Sequence, residues 1–218
     1  MKKISPIQIA VFAFLFGAIL ALAVATTSVV SAYLPSGDFR GIEVLVIALI
    51  FIYLYAFAVY RAFLKMVPLE EGVVEPGTRA ELAAQVNILF YLILFNSLIR
   101  TNFLPVPLTR LIYLALGARL GENTYSAGAL LDPPLTEIGN NCIIGHNAAL
   151  FCHAIEGQNF SLSRIKIGDN VTIGAMAIVM SGVVIEEGAI VSAGAVVKKG
   201  SYIGAGEIWG GVPARRIT

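Results

Sequence analysis

The strongest constraint in this chain is a six-residue period that runs through residues 167–209. Apolar side chains recur at Ile167, Ile173, Val179, Ile185, Val191, Val197, Ile203 and Trp209. Four positions after each stand Val171, Ala177, Val183, Ala189, Ala195, Ser201, Glu207 and Pro213, most of them small. A helix repeats every 3.6 residues and a strand every two, so neither explains this spacing. A parallel β-helix does, because each flat side of its coil contributes one inward apolar residue with a small neighbour, and stacked coils bury a continuous core. Three such sides make a triangular coil of about 18 residues, and coils stack at the parallel-strand spacing of ~4.8 Å. Glycines such as Gly168, Gly174, Gly182, Gly188, Gly194, Gly200 and Gly204 recur where the corners need unusual dihedrals or close backbone approach.

Extended backwards, the frame passes through Leu150, Ile144, Ile138, Asp132, Ser126 and Leu120. From Leu150 to Ile167 the interval is 17 residues, not a multiple of six. Segment 151–164 must therefore leave the prism as a loop, and loops on a rigid scaffold are favoured places for chemistry. This one carries His153, one of the 2 histidines in the chain; the other, His146, follows the Ile144-Gly145 corner. Glu156 stands three residues after His153 and is a candidate to orient it. The 2 cysteines, Cys142 and Cys152, form no disulfide or metal pattern. Cys142 falls at a small inward position and reads as core. Cys152 has nothing nearby in sequence to depress its pKa and make it a nucleophile.

The N-terminal half belongs to a different solvent. The chain is 57% hydrophobic and only 13% charged, which is unusual for a soluble domain. Residues 7–34 contain no charge and are long enough to span a bilayer as a helix. Val30-Ser31-Ala32 resembles a signal-peptidase site, but the apolar run is too long for a signal-peptide core. A second apolar run, 44–60, ends at Arg61 and Lys65. Lys2, Lys3, Arg61 and Lys65 flank the outer ends of this hairpin, so the positive-inside rule places both ends and the C-terminal domain in the cytoplasm. A polar break follows at 68–78. Residues 82–99 are uncharged but hold Gln85, Asn87, Asn96 and Ser97, and read as an interfacial or re-entrant helix. Segment 101–120 mixes Arg110 and Arg119 with Leu108, Leu111 and Ile112, the pattern of a short amphipathic helix on the leaflet or a cap on the prism. The expected organisation is a transmembrane helical hairpin over 1–66, a linker with interfacial helices over 67–119, and a β-helix domain over 120–218. A net charge of +1 gives no field that would favour nucleic acid. Flat, charge-poor faces around Ala175, Ala177, Ala193 and Ala195 should pack against copies of the chain in a closed homotrimer.

The C-terminal half resembles the hexapeptide-repeat acyltransferases. The match lies in Ile167-Gly168-Asp169-Asn170-Val171-Thr172-Ile173-Gly174, in Ala193-Gly194-Ala195-Val196-Val197-Lys198-Lys199, and in the closing Gly211-Val212-Pro213-Ala214-Arg215. It covers nearly half the chain, from about Gly117 onward. Leu116-Gly117-Ala118-Arg119-Leu120-Gly121, with Asp132-Pro133 and His153, also resembles the membrane-linked acyltransferase domains of peptide-synthetase-like proteins. The resemblance implies a left-handed parallel β-helix, an exception to the right-handed crossover rule. It also implies an acyl-CoA co-substrate, most simply acetyl-CoA, and no metal. His153 would be the general base. Asp132 would orient acceptor or imidazole. Ala175 and Ala193 would lie along the pantetheine arm, and Lys198, Lys199 and Arg215 near the nucleotide phosphates. The family often has Thr-Lys at Lys198-Lys199, and two extra residues precede Gly211.

The function expected is a membrane-bound acyltransferase, acting on a hydroxyl or amine acceptor at the cytoplasmic leaflet, such as a lipid-linked sugar or polysaccharide precursor. Two alternatives come from other classes. One is a non-catalytic trimeric membrane scaffold. The other is a carbonic-anhydrase-like metal enzyme, which would need three imidazoles where the chain has 2.

Overall fold

A computed structural model of the protein describes residues 4–34, 37–101 and 104–217. Lys2 and Lys3, and Pro35 and Ser36 of the turn between the two apolar runs, lie outside the described residues. Helix α1, Pro6–Ser31, starts in a capping box: Gln8 N donates to Ser5 Oγ at 3.3 Å, and Ser5 N donates to Gln8 Oε1 at 2.7 Å. At and just past its far end, the Arg40 guanidinium donates to Ser31 O at 3.1 Å and Leu34 O at 3.3 Å. Arg40 opens helix α2, Arg40–Met66, which runs back along α1 with the Thr26 and Tyr55 hydroxyls 2.7 Å apart.

The third helical stretch covers residues 82–99 and extends beyond them at its start. It is built from α3, Arg79–Phe90, a π-helical turn over Tyr91–Phe95, and α4, Asn96–Arg100. Taken as Arg79–Arg100 it is long and apolar enough to cross a membrane by length and composition, as α1 and α2 are. It is also far more enclosed: 56% of its most apolar window is buried, against 17% and 6% for α1 and α2. Gln85 and Asn87 face protein and are buried, which keeps these two polar side chains away from lipid. Phe90 fixes the packing, edge-on to Phe12 at 5.2 Å and tilted against Tyr60 at 5.3 Å.

Helix α5, Val106–Leu116, lies across the open end of a prism. The first coil of a β-helix has no preceding coil to bond, and α5 supplies the missing partners. Tyr113 OH donates to Gly128 O at 2.8 Å and accepts from Leu130 N at 3.2 Å. Arg110 donates to Thr124 O at 2.8 Å, and Thr109 to Ser126 O at 3.1 Å. Gly117 ends the helix at φ 104°, a dihedral that favours glycine.

The prism has three parallel sheets. Leu120, Ile138, Ile167, Ile185 and Ile203 stack on the first side. Ser126, Ile144, Ile173, Val191 and Trp209 stack on the second. Leu130, Leu150, Val179 and Val197 stack on the third. The small positions Val171, Ala177, Val183, Ala189 and Ala195 are fully buried beside them. One inward slot corrects the six-residue frame: Leu130, not Asp132, pairs with Leu150. A core slot of this kind takes an apolar side chain, and the spare residues are absorbed in the turn that follows. At the far end Arg215–Arg216 turns back antiparallel to Ile208–Gly210. Gly211 O accepts from Val196 N at 3.0 Å, and Ala214 N donates to Val196 O at 2.8 Å.

The excursion over 151–164 is a β-hairpin, His153–Glu156 against Asn159–Leu162. The linker after α2 adds a third strand to it, Gly72–Val73, and Val74 N donates to Phe160 O at 2.8 Å. Glu71 clamps the hairpin's return, accepting from Arg164 N at 2.9 Å and Arg164 Nε at 3.1 Å.

Coil stacking explains the glycine after the inward residues Ile138, Ile144, Ile167 and Ile173. A Cβ on Gly174 would stand inside contact distance of the Ala193 backbone in the next coil. Gly174→Ala should therefore force the coils apart at a cost of about 1–3 kcal/mol. It should lower the thermal midpoint of the detergent-solubilised protein by several degrees, and an unchanged midpoint would mean the coils are not packed this closely.

Candidate active site at a prism corner

The site begins with the turn that replaced the expected inward slot. After Leu130 the chain makes one 3₁₀ turn, Pro133–Leu135, and Asp132 is the residue before it. Its side chain is 2% exposed. A buried carboxylate must be met by donors, and three converge here. Cys152 N donates to Oδ2 at 3.1 Å, Asn87 Nδ2 approaches Oδ1 at 3.5 Å, and His153 Nδ1 lies 2.6 Å from Oδ2. Asn87 is itself held by Tyr60, whose hydroxyl donates to Asn87 Oδ1 at 2.6 Å. A continuous polar chain thus runs from α2 through α3 to the hairpin.

The short contact to Asp132 fixes the imidazole. Nδ1 carries the proton and donates it to the carboxylate, which leaves the Nε2 lone pair free to accept one. Phe151 meets the ring edge-on at 5.7 Å, and Phe160 tilts against it at 6.5 Å. Burial pushes the His153 pKa down, but the hydrogen bond and charge of Asp132 outweigh it and hold the pKa above its ordinary 6.5. The consequence for stability has a definite sign. The stabilisation from this pair is fully present below about pH 6.5 and is lost as pH rises through the higher folded value.

Other residues singled out from the sequence sit elsewhere. Glu156 lies across the hairpin strand from His153, because three residues along a strand reverse the facing side. Its carboxylate accepts from Lys199 Nζ at 2.8 Å, and Lys199 also donates to Ser161 Oγ at 3.1 Å. The hairpin therefore lies along the corner that carries Lys198 and Lys199. Ala175 and Ala193 are exposed on the preceding corner, stacked so that Gly194 N donates to Ala175 O at 2.9 Å. Arg215 is exposed beside Gly210 at the last coil. A single copy of the chain does not bring the alanines and the lysines onto one corner. His146 is exposed at the alanine corner, away from His153. Among the described residues, no group of three or more His, Cys, Asp and Glu is placed to hold a metal ion.

Both cysteines are buried. Cys142 Sγ donates to Gly168 O at 3.0 Å, as a small core residue. Cys152 touches the site only through its backbone. Burial, and then the charge of Asp132, push its thiol up to about 12, so it stays protonated. Sequence reasoning missed Asn87 and Tyr60. The signal for Asn87 was there, an amide in the middle of an otherwise apolar helix.

Residues 164–199 match the family described as Bacterial transferase hexapeptide (six repeats). With three parallel sheets in six-residue register, the C-terminal half is a left-handed parallel β-helix, the fold class expected. Solved structures similar to the chain include a maltose O-acetyltransferase from Clostridium difficile 630, at 30% identity and TM-score 0.43, over 48% of this chain and 59% of that one. A galactoside acetyltransferase in complex with coenzyme A is 26% identical at TM-score 0.41, over 47% and 55%. A variant of AntD, an N-acyltransferase from Bacillus cereus in complex with dTDP and coenzyme A, is 20% identical at TM-score 0.35, over 53% and 90%. The chain thus spans less than two thirds of the first two. No curated protein matches it.

Asp132→Asn removes the charge that raises His153 while leaving the ring buried. The His153 titration, followed by NMR of labelled histidine with His146→Gln for assignment, should move to lower pH than in the unaltered protein. A titration that stays in place would show that Asp132 does not set the imidazole's proton affinity.

Proposed function

We propose that this protein is a CoA-dependent acyltransferase that moves an acyl group, most simply acetyl, from acyl-CoA to a hydroxyl or amine at the cytoplasmic face of a membrane. The observation that carries the reading is the His153–Asp132 pair, a buried carboxylate 2.6 Å from one ring nitrogen, mounted at a corner of a hexapeptide prism. The acceptor gives its proton to His153 Nε2 as its oxygen or nitrogen attacks the thioester carbonyl. Asp132 keeps the tautomer correct and stabilises the imidazolium that forms. When the tetrahedral adduct collapses, the C–S bond breaks and the imidazolium returns the proton to the departing CoA sulfur. The thioester is already activated, so no enzyme nucleophile is required, in keeping with a Cys152 thiol that stays protonated.

Ala175 and Ala193 offer backbone on a corner without bulky side chains, suited to the pantetheine arm. Lys198, Lys199 and Arg215 are the cations for the nucleotide phosphates. Because alanines and lysines stand at different corners, a complete donor site requires a neighbouring copy, which supports a homotrimer. The apolar lengths of α1 and α2 and the position of Arg61 and Lys65 at the end of α2 support a multi-pass protein of the cytoplasmic membrane with its prism inside. An acceptor embedded in that membrane, such as a lipid-linked sugar, gives such helices a purpose.

The test is release of CoA thiol from acetyl-CoA in the presence of candidate acceptors. His153→Ala should lower it by about 10²–10⁴-fold, and a variant that folds and still turns over normally would remove His153 from the role. The rate should climb with pH along a limb centred above 6.5, because only the neutral imidazole accepts a proton. Asp132→Asn should shift that limb towards acid as well as lowering its plateau.

A further inference from the structure

A cleft of about 550 Å³ opens between the C-terminal end of α2 and the first coil of the prism. Four cations line it, Arg61 and Lys65 from α2, Arg119 from the first coil and Arg164 from the end of the hairpin. Two of them are matched by acids. Arg119 Nη1 lies 2.6 Å and Arg164 Nη1 2.9 Å from the same oxygen of Glu137, and Arg164 Nε lies 3.1 Å from Glu71. Among the described residues, no acid stands within ion-pair distance of Arg61 or Lys65. Four residues apart on one helix, these two share a face. Gly117 helps to place the first of them: a Cβ there would collide with the Arg61 guanidinium, so the glycine lets that side chain lie against the prism. The cleft is thus preformed and carries two uncompensated positive charges. Its floor is the Pro134–Leu135 part of the turn that begins at Asp132.

We infer that this cleft binds the phosphate ester of the acyl acceptor, and that a lipid-linked phosphate is the class it fits. Guanidinium and ammonium groups converging on a recess match a phosphate's oxygens. Leu64 and Leu69 give the same cleft an apolar wall, at the point where α2 leaves its long apolar run. The turn that forms the cleft's floor begins at Asp132, and Arg164 of its wall follows the hairpin that carries His153, so the cleft adjoins the elements that hold the pair. This inference rests on the proposed function for the acyl-transfer step and for the position of the bilayer.

The experiment measures binding to the full-length protein in detergent by isothermal titration, with three probes: dihexanoyl phosphatidic acid, dihexanoyl phosphatidylcholine and inorganic phosphate. Phosphatidic acid should bind more tightly than phosphatidylcholine. The double variant Arg61→Gln, Lys65→Gln should weaken that binding by about ten-fold or more and leave the thermal midpoint unchanged, since both side chains are exposed. Stronger binding of phosphatidic acid than of inorganic phosphate assigns the cleft to a lipid headgroup. Equal binding keeps the phosphate site and assigns it to a soluble phosphorylated acceptor. Failure of every phosphate probe, wild-type binding by the double variant, or displacement of phosphatidic acid by coenzyme A would overturn the inference. His153→Ala should bind phosphatidic acid normally, which separates the two readings. Normal binding without transfer in the unaltered protein faults the proposed reaction, and transfer without phosphate binding faults the cleft.

Discussion

A stack of parallel coils has a raw first edge, and the way this edge is closed governs the rest of the molecule. The backbone of the first coil cannot turn to an earlier coil for its hydrogen bonds, and a buried amide or carbonyl left without a partner costs roughly 1–3 kcal/mol. Helix α5 meets that need through Tyr113, Arg110 and Thr109. The buried Tyr113 hydroxyl both donates and accepts, and burial raises its pKa enough to keep it a neutral phenol. Once α5 is seated, α2 and α3 pack over the same end and bring Asn87 to Asp132. The helical half is thereby joined to the prism through α5 and α3.

The site inherits its geometry from that junction. Asp132 sits where three independent parts of the chain meet, the first coil, α3 and the root of the hairpin. An acid in such a place remains tolerable because donors surround it, and its charge in turn governs the imidazole beside it. The hairpin carrying that imidazole is held on both edges, by the strand Gly72–Val73 and by the pairing of Glu156 with Lys199. The exposed pair at its tip contributes little energy by itself. The strand from the linker is the firmer tie, and it connects the His153 hairpin directly to the end of α2.

The prism was largely readable from residue spacing, because a six-residue period with small partners has one simple structural solution. Ile173, Val179, Val191, Val197 and Ile203 all face inward and are buried as that period requires. The frame failed at Asp132, and the residue type carried the warning: a carboxylate does not belong in a dry slot, and Leu130 stood two positions earlier to fill it. Glu156 illustrates a second kind of limit. Its separation from His153 looked close in sequence, but strand parity sends the two side chains apart, and that parity becomes visible only when the loop is recognised as a hairpin. The strand Gly72–Val73 is two residues long and leaves no periodicity to detect. For Arg79–Arg100 the sequence showed polar groups at odds with lipid. Which protein surface receives Asn87 is a tertiary fact, set by Tyr60 and Asp132, which are far away in the chain.

The far end of the prism is treated differently from the first. There the chain doubles back on itself, with Arg215–Arg216 antiparallel to Ile208–Gly210 and the intervening residues bonded to Val196. A parallel stack could otherwise add further coils from other molecules without limit, in the manner of a growing fibre. The reversed strand blocks the last edge of the second side, its neighbours cover the third, and α5 blocks the opposite pole. Association along the column axis is thereby hindered at the first pole and on two of the three sides at the last, which favours sideways contact between copies.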